Sequence, residues 1–174
     1  MKEEIKTVSV LLTKYTDPFS KLFSIFTRSE YTHASIGIGD NGCEFFSFVL
    51  KDGFHIERPI RNKKAKRDWI LCALYQLDVT YTVYNNIKLY LQEFLNHAEH
   101  YQYSIFGVPL CLMRIPHHFK YHYFCSQFVA QLIIATKAAQ LKKRPSIYLP
   151  DDFQLEPELK LCFKGTLGEL AALM

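Results

Sequence analysis

Long hydrophobic runs are absent from this chain. Its longest apolar segment, residues 124–135, is interrupted by Ser126, Gln127 and Gln131, and it falls short of the roughly 18 apolar residues that a membrane-spanning helix needs. The first residues include two acids and then only a short apolar stretch at 8–12, which indicates a first strand and not a secretory signal. The sequence therefore predicts a protein without a transmembrane segment.

Regularly spaced cysteine pairs are also missing. The chain has five cysteines, an odd number, and their spacing is irregular, so the sequence does not indicate a disulfide framework. Free thiols persist in reducing compartments. We therefore expect the protein to be cytoplasmic.

Neither sign of charge dominates the composition. The formal net charge is +4, and no nucleic-acid-binding module is recognisable, so nucleic acid is not an expected partner. One basic run, residues 61–67, is interpreted as a solvated connection between two strands. If the run makes a functional contact, an anionic lipid surface is the expected partner, as a peripheral contact.

The chain does have enough apolar surface for a core. Its 174 residues are 49% hydrophobic and 15% aromatic, which fits one domain spanning residues 1–174. The residue pattern predicts strands at 6–13, 53–58, 69–79 and near 160–165, a helix at 17–26 with Asp17 as its N-cap, and the longest helix at 82–100.

Cys125 stands on the first turn of a segment with helical periodicity. Steps of three and four residues lead from Cys125 to Phe128, Val129, Leu132 and Ile133, so the sulfur is predicted to lie on the inward face. The unpaired N–H groups and the positive macrodipole end at a helix start favour a thiolate, the nucleophilic form of cysteine. Free cysteine is more often a small buried hydrophobe, so the helix alone leaves both interpretations open.

A histidine lies on a strand whose face otherwise carries small residues. Alternation places Ala34 and Ile36 on one face, and His33, Ser35 and Gly37 on the other. A bare face lets another backbone approach closely, and we expect the cysteine-bearing helix to fill that space. The Asn-Gly pair after the strand predicts a hairpin with an antiparallel return. Cysteine, imidazole and a third polar group would form an activated thiol.

The order of these segments resembles a known family. A histidine strand, a hairpin, a long helical region and Cys-Ser at a helix start are typical of the circularly permuted branch of the NlpC-type papain-like cysteine hydrolases, which includes the YiiX-like and YycO-like bacterial proteins and, more distantly, lecithin:retinol acyltransferase. The resemblance is carried by residues 32–36, 46–48 and 124–129, and it extends to 149–153 and 160–165. It implies a permuted papain-like α+β fold, with an antiparallel sheet packed against the cysteine-bearing helix.

The resemblance also implies roles for individual residues. Cys125 matches the nucleophile and His33 the base. Relatives often place a third polar residue on the strand after the hairpin, and the matching stretch here leaves Ser47 and Glu44 as candidates. Even pairing around the turn puts Glu44 on the face of His33, whereas one bulge puts Ser47 there.

The implied activity is that of a cysteine hydrolase attacking an amide, either a peptide or an isopeptide, including fragments derived from cell walls. The alternatives are a lipid acyl hydrolase or acyltransferase of the same fold, and a catalytically silent binding protein. A small peptide or an acyl compound is the expected partner. In the enzyme, the Cys125 backbone N–H and a tyrosine before the cysteine, Tyr123 or Tyr121, would hold the oxyanion.

Several possible metal ligands lie near Cys125. Cysteine and histidine are the ligands that zinc prefers, and Cys111, His117, His118 and His122 precede Cys125 within fifteen residues. Their spacing does not match the common structural zinc frameworks. We therefore expect no metal and no other cofactor.

Overall fold

A computed structural model describes residues 3–39, 44–58 and 68–174. Cys43, the Asn-Gly turn and the basic run at 61–67 lie outside the described residues. The strands are β1 (Ile5–Thr13), β2 (His33–Ile38), β3 (Phe45–Val49), β4 (Gly53–Glu57), β5 (Leu71–Thr80), β6 (Gln102–Tyr103), β7 (His122–Tyr123) and β8 (Lys160–Thr166). The α-helices are α1 (Pro18–Thr27), α2 (Tyr81–Asn96), α3 (Gly107–Leu112), α4 (Cys125–Ala135) and α5 (Leu167–Leu173).

Six strands form one antiparallel sheet in the order β4-β3-β2-β1-β5-β8. β1 lies inside the sheet between β2 and β5, while β6 and β7 form a separate parallel pair. The observed architecture agrees with the predicted α+β class and its antiparallel sheet. The strand predictions were correct to within about two residues at each end.

The two faces of the sheet are covered unequally. On one face, Ala34 and Ile36 of β2 join a core that includes Phe128 and Ile133 of α4 and Ile87 of α2. Burying one isoleucine or phenylalanine side chain stabilises the fold by about 1.5–3 kcal/mol. On the opposite face, the short helix α5 covers a smaller cluster consisting of Leu11, Phe45, Cys72, Leu74 and Leu170.

The helix ends follow local capping chemistry. Asp17 Oδ1 accepts a hydrogen bond from the Ser20 N–H at 3.1 Å, which confirms the predicted N-cap. The long helix was predicted to reach residue 100, but α2 ends at Asn96 because His97 leaves the helical region, and a 3-10 turn follows at Ala98–His100. The sequence interpretation missed α5, whose start is a capping box between Thr166 and Glu169.

None of the helices in the described ranges is long and apolar enough to cross a membrane.

Candidate active site

Cys125 is the first residue of α4. Phe124 before it is extended and acts as the N-cap, and its carbonyl accepts the Phe128 N–H at 3.0 Å. The Ser126 hydroxyl donates to the Tyr148 carbonyl at 2.6 Å, and this hydrogen bond holds the start of α4 against the segment around Tyr148. The thiol is buried and receives hydrogen bonds from the backbone N–H groups of Ala34 and Ser126.

The helix does not lie where we expected. α4 packs on the Ala34 and Ile36 face of β2, not on the bare face of His33. The bare face is instead filled by the ring of Phe45, since a Cβ added to Gly37 would lie 2.7 Å from that ring. The thiol still meets His33 because α4 begins with Cys125 at the end of the sheet where β2 begins with His33.

His33 is a buried imidazole with a partner on each side. Its Nε2 lies 2.7 Å from Glu57 Oε1, and a side-chain hydrogen bond joins the ring to the Cys125 thiol. Because Glu57 occupies Nε2, Nδ1 is the nitrogen left for the sulfur. The ring of Tyr15 packs edge-on against the imidazole, with ring centroids 5.3 Å apart.

The third polar group is therefore Glu57, and the sequence interpretation named other residues. Glu44 forms an ion pair with Arg58 near the surface. The β2–β3 register pairs Gly37 with Phe45, which puts Ser47 on the face of His33, but the Ser47 hydroxyl donates to the Ala34 carbonyl at 2.6 Å.

The third group was expected on the strand that follows the hairpin turn, whereas Glu57 lies on β4, one strand further along the chain. The β3–β4 register pairs Ser47 with His55, so His55 and Glu57 share a sheet face with Ser47. The sequence carried one signal for this residue. The segment 53–57 alternates glycine, histidine and glutamate with apolar residues, which marks a strand with a polar face.

The side chains of Cys125, His33 and Glu57 shift one another's pKa values. Burial favours neutral His33, but the Glu57 carboxylate and the Cys125 thiolate outweigh it and raise the imidazole pKa well above 6.5. Burial would also raise the Cys125 pKa, yet His33 and the two backbone N–H groups lower it. Burial likewise opposes ionisation of Glu57, and the His33 cation overcomes this and lowers the carboxyl pKa. The arrangement favours a thiolate, an imidazolium and a carboxylate.

A cavity of about 450 Å³ opens beside these residues. Cys125, His33 and Glu57 all line it. Its other polar walls come from the β3–β4 hairpin and from the start of α1, and they include Lys51, Asp52, His55, Arg58, Asp17 and Ser20. Such a space admits a small molecule or a peptide end next to the thiol.

The tyrosines expected at the oxyanion position lie elsewhere. Tyr121 is exposed, with Lys120 over its ring, and Tyr123 packs into an aromatic cluster 5.3 Å from the Phe48 ring. The cavity is lined by Tyr15 and Tyr103 instead. Burial and then the negative charge of Cys125 raise the Tyr103 pKa, so this phenol keeps its proton.

The histidines and cysteines considered as metal ligands have other contacts. His118 Nδ1 lies 2.8 Å from the Gln127 side-chain amide, the His122 Nδ1–H donates to the Lys120 carbonyl at 2.8 Å, and Cys111 contacts the Tyr148 carbonyl. In the described residues, the one group of three possible ligands whose ligand atoms all lie within 4.8 Å of one another consists of His97, Glu99 and His100, which are exposed beyond the end of α2.

The sequence matches no protein-family model and no curated protein.

Proposed function

We propose that this protein is a cysteine hydrolase that cleaves an amide bond, with Cys125 as nucleophile, His33 as acid and base, and Glu57 as the residue that orients His33. The observation that carries the proposal is the chain of contacts from the thiol through the imidazole to the buried carboxylate, next to a cavity. Nucleophile, base and orienting group in hydrogen-bond contact are the signature of an activated thiol.

In the first step, the Cys125 thiolate attacks the carbonyl carbon and a C–S bond forms. The protonated His33 then donates its proton to the leaving nitrogen as the C–N bond breaks, which leaves an acyl-enzyme and a free amine. In the second step, neutral His33 takes a proton from water, and the resulting hydroxide attacks the thioester. The products are a carboxylic acid and the regenerated thiolate with a protonated imidazole.

Each step develops negative charge on the carbonyl oxygen. The Cys125 N–H belongs to the first turn of α4, where backbone donors have no intrahelical acceptor. Tyr103 supplies a second donor, because its phenol keeps its proton and lies in the cavity next to the sulfur. Two donors aimed at the developing oxyanion are typical of acyl-transfer sites.

The permuted papain-like fold is part of the same proposal. An antiparallel sheet packed against a helix that begins with the nucleophile supports it. The silent binding protein is a weaker alternative, because its premise was a lost orienting residue and Glu57 fills that role for His33.

The test is pre-steady-state hydrolysis of an activated p-nitrophenyl ester. We expect a burst of product equal to the active protein concentration and an acyl adduct on Cys125 by mass spectrometry. Cys125→Ser should abolish both. Cys162→Ser removes an exposed thiol on β8 and is the matched control, which should keep the full burst. A burst that survives Cys125→Ser would refute the assignment.

A further inference from the structure

Large apolar side chains are exposed on α1 and on the segments that flank α3. Ile25 and Phe26 of α1 are 73% and 71% exposed, and Phe106 just before α3 is 75% exposed. Single exposed hydrophobic residues are ordinary, but a group around one site indicates a binding surface. We call this group the apolar rim, which consists of Ile25, Phe26, Ile105, Phe106, Met113 and Ile115, all exposed.

The rim belongs to one region of the molecule. Phe23 of α1 packs against the buried cluster of Val108, Cys111 and Phe124, and Val108 and Cys111 belong to α3, so the two helices border one cluster. The same region borders the cavity, because Asp17 at the start of α1 and Tyr103 before α3 line it. α1 and the segment that leads into α3 therefore each connect the cavity wall with part of the rim.

Positive charge accompanies the rim. An exposed arginine in the left-handed conformation ends each helix, Arg28 after α1 and Arg114 after α3. The sequence has no acidic residue between Asp17 and Glu30 or between Glu99 and Asp151. In the second stretch, Arg114 stands between the rim residues Met113 and Ile115 and the exposed Lys120 follows them, whereas Lys143 further along pairs with Asp152.

We propose that the apolar rim docks on an anionic lipid bilayer, with the side chains of Phe26 and Phe106 among the headgroups and Arg28 and Arg114 against lipid phosphates. Apolar side chains flanked by cations bind such surfaces through buried apolar area and through attraction to anionic lipid. A second copy of the chain is a poorer occupant. A two-fold contact through the rim would bring the same cations together.

This surface is independent of the chemistry at Cys125, so it is tested by binding and not by turnover. The full-length protein is mixed with sucrose-loaded vesicles of phosphatidylcholine, with or without phosphatidylglycerol, and the bound fraction is measured by sedimentation. We expect binding to vesicles that contain phosphatidylglycerol, weaker binding at high salt, and little binding to phosphatidylcholine alone.

Paired substitutions separate the apolar and the charged contributions. The double variant Phe26→Ser/Phe106→Ser should lower partitioning at least tenfold, since it removes two phenyl groups from the lipid interface. Arg28→Gln/Arg114→Gln should lower it by about fivefold per arginine and reduce the preference for anionic lipid. The matched control is Lys88→Gln/Leu89→Ser, which changes an exposed cation and an exposed apolar residue on α2.

Circular dichroism melts show whether each variant is folded, and all of these positions are exposed. The proposal is overturned if the wild-type protein does not sediment with anionic vesicles, or if the rim variants bind as well as the α2 control. It is also overturned if the rim proves to be a dimer contact, with the wild-type protein dimeric, the phenylalanine variant monomeric and neither bound to vesicles.

Discussion

At the scale of single residues, the candidate chemistry depends on Cys125, His33 and Glu57, three buried ionisable groups in successive contact, which we call the row. The Glu57 carboxylate raises the pKa of His33, and the His33 imidazolium in turn lowers the pKa of Cys125. Because the sites are coupled, the measured pKa values belong to the row and not to one residue. Removing one member should therefore change the titration of the next.

Glu57→Gln should lower the pKa of His33, because the neutral amide no longer stabilises the imidazolium. Loss of a neighbouring opposite charge changes a pKa by about 1–3 units. The alkaline limb of kcat/KM, where His33 loses its proton, should therefore move to lower pH. The control is Glu44→Gln, whose carboxylate pairs with Arg58 near the surface, and its pH profile should match the wild type. If the pH profiles of kcat/KM coincide for the two variants, Glu57 does not affect the pKa of His33.

Cys125 should be the thiol that reacts first with limiting iodoacetamide at pH 6, since the thiolate is the reactive form. Burial raises the pKa of Cys72 and of Cys111 to about 12, so these two thiols should remain unmodified. Peptide mapping by mass spectrometry gives the order of labelling. Cys162 is exposed, and a Cys162→Ser background removes its contribution.

His33→Ala should shift the alkylation of Cys125 to higher pH, by about 1–3 pKa units, because the thiolate loses its neighbouring cation. The measurement is the labelling rate of Cys125 as a function of pH, in protein shown to be folded by circular dichroism. An unchanged pH profile would mean that His33 and Cys125 do not form a pair.

At the scale of elements, the site depends on how β2 enters the sheet. Asp151, in a 3-10 turn at Pro150–Leu155, accepts the N–H groups of Glu30 and Tyr31 at 2.6 and 2.8 Å. These contacts fix the chain just before His33. The start of α4 is fixed separately, by Ser126 on the Tyr148 carbonyl.

Asp151→Ala should leave those two N–H groups without their acceptor and should lower the free energy of unfolding by about 1–3 kcal/mol. Activity per folded molecule should also fall, because His33 follows the loosened segment. Urea denaturation and burst amplitude measure the two effects. Asp78→Ala is the control, since its exposed carboxylate pairs with Lys160 on the surface. It should change the free energy of unfolding by no more than a few tenths of a kcal/mol and should leave the burst amplitude unchanged.

At the scale of the whole molecule, the same row couples stability to pH. The folded-state pKa of Glu57 is lowered, so its contribution is complete above about 4.5 and is lost as the pH falls through the folded value. The folded-state pKa of His33 is raised, so its contribution is complete below about 6.5 and is lost as the pH rises through the folded value.

Cys125→Ser protein, in which the thiol no longer titrates, should therefore have its highest melting temperature between about pH 4.5 and 6.5 as far as this pair is concerned. Adding Glu57→Gln should lower the melting temperature most inside that window. Calorimetry across a pH series measures this. A difference between the two proteins that does not change with pH would show that the ion pair does not contribute.

The sequence by itself determined what depends on near neighbours in the chain. Cys125 at the start of a helix, the N-cap at Asp17 and the principal strands follow from local periodicity and local hydrogen bonds, and the structure contains all of them. The α+β class follows from the same local patterns. The catalytic role assigned to Cys125 and His33 stays a prediction that the experiments above address.

Only the tertiary structure decided which residues meet across the sheet. Glu57 reaches His33 from another strand, and Tyr103, not Tyr121 or Tyr123, enters the cavity. Strand register and the choice of helix face depend on packing between segments far apart in the chain, and a shift of one residue reverses every side chain. Periodicity gives the faces of each element, but long-range packing selects which faces touch.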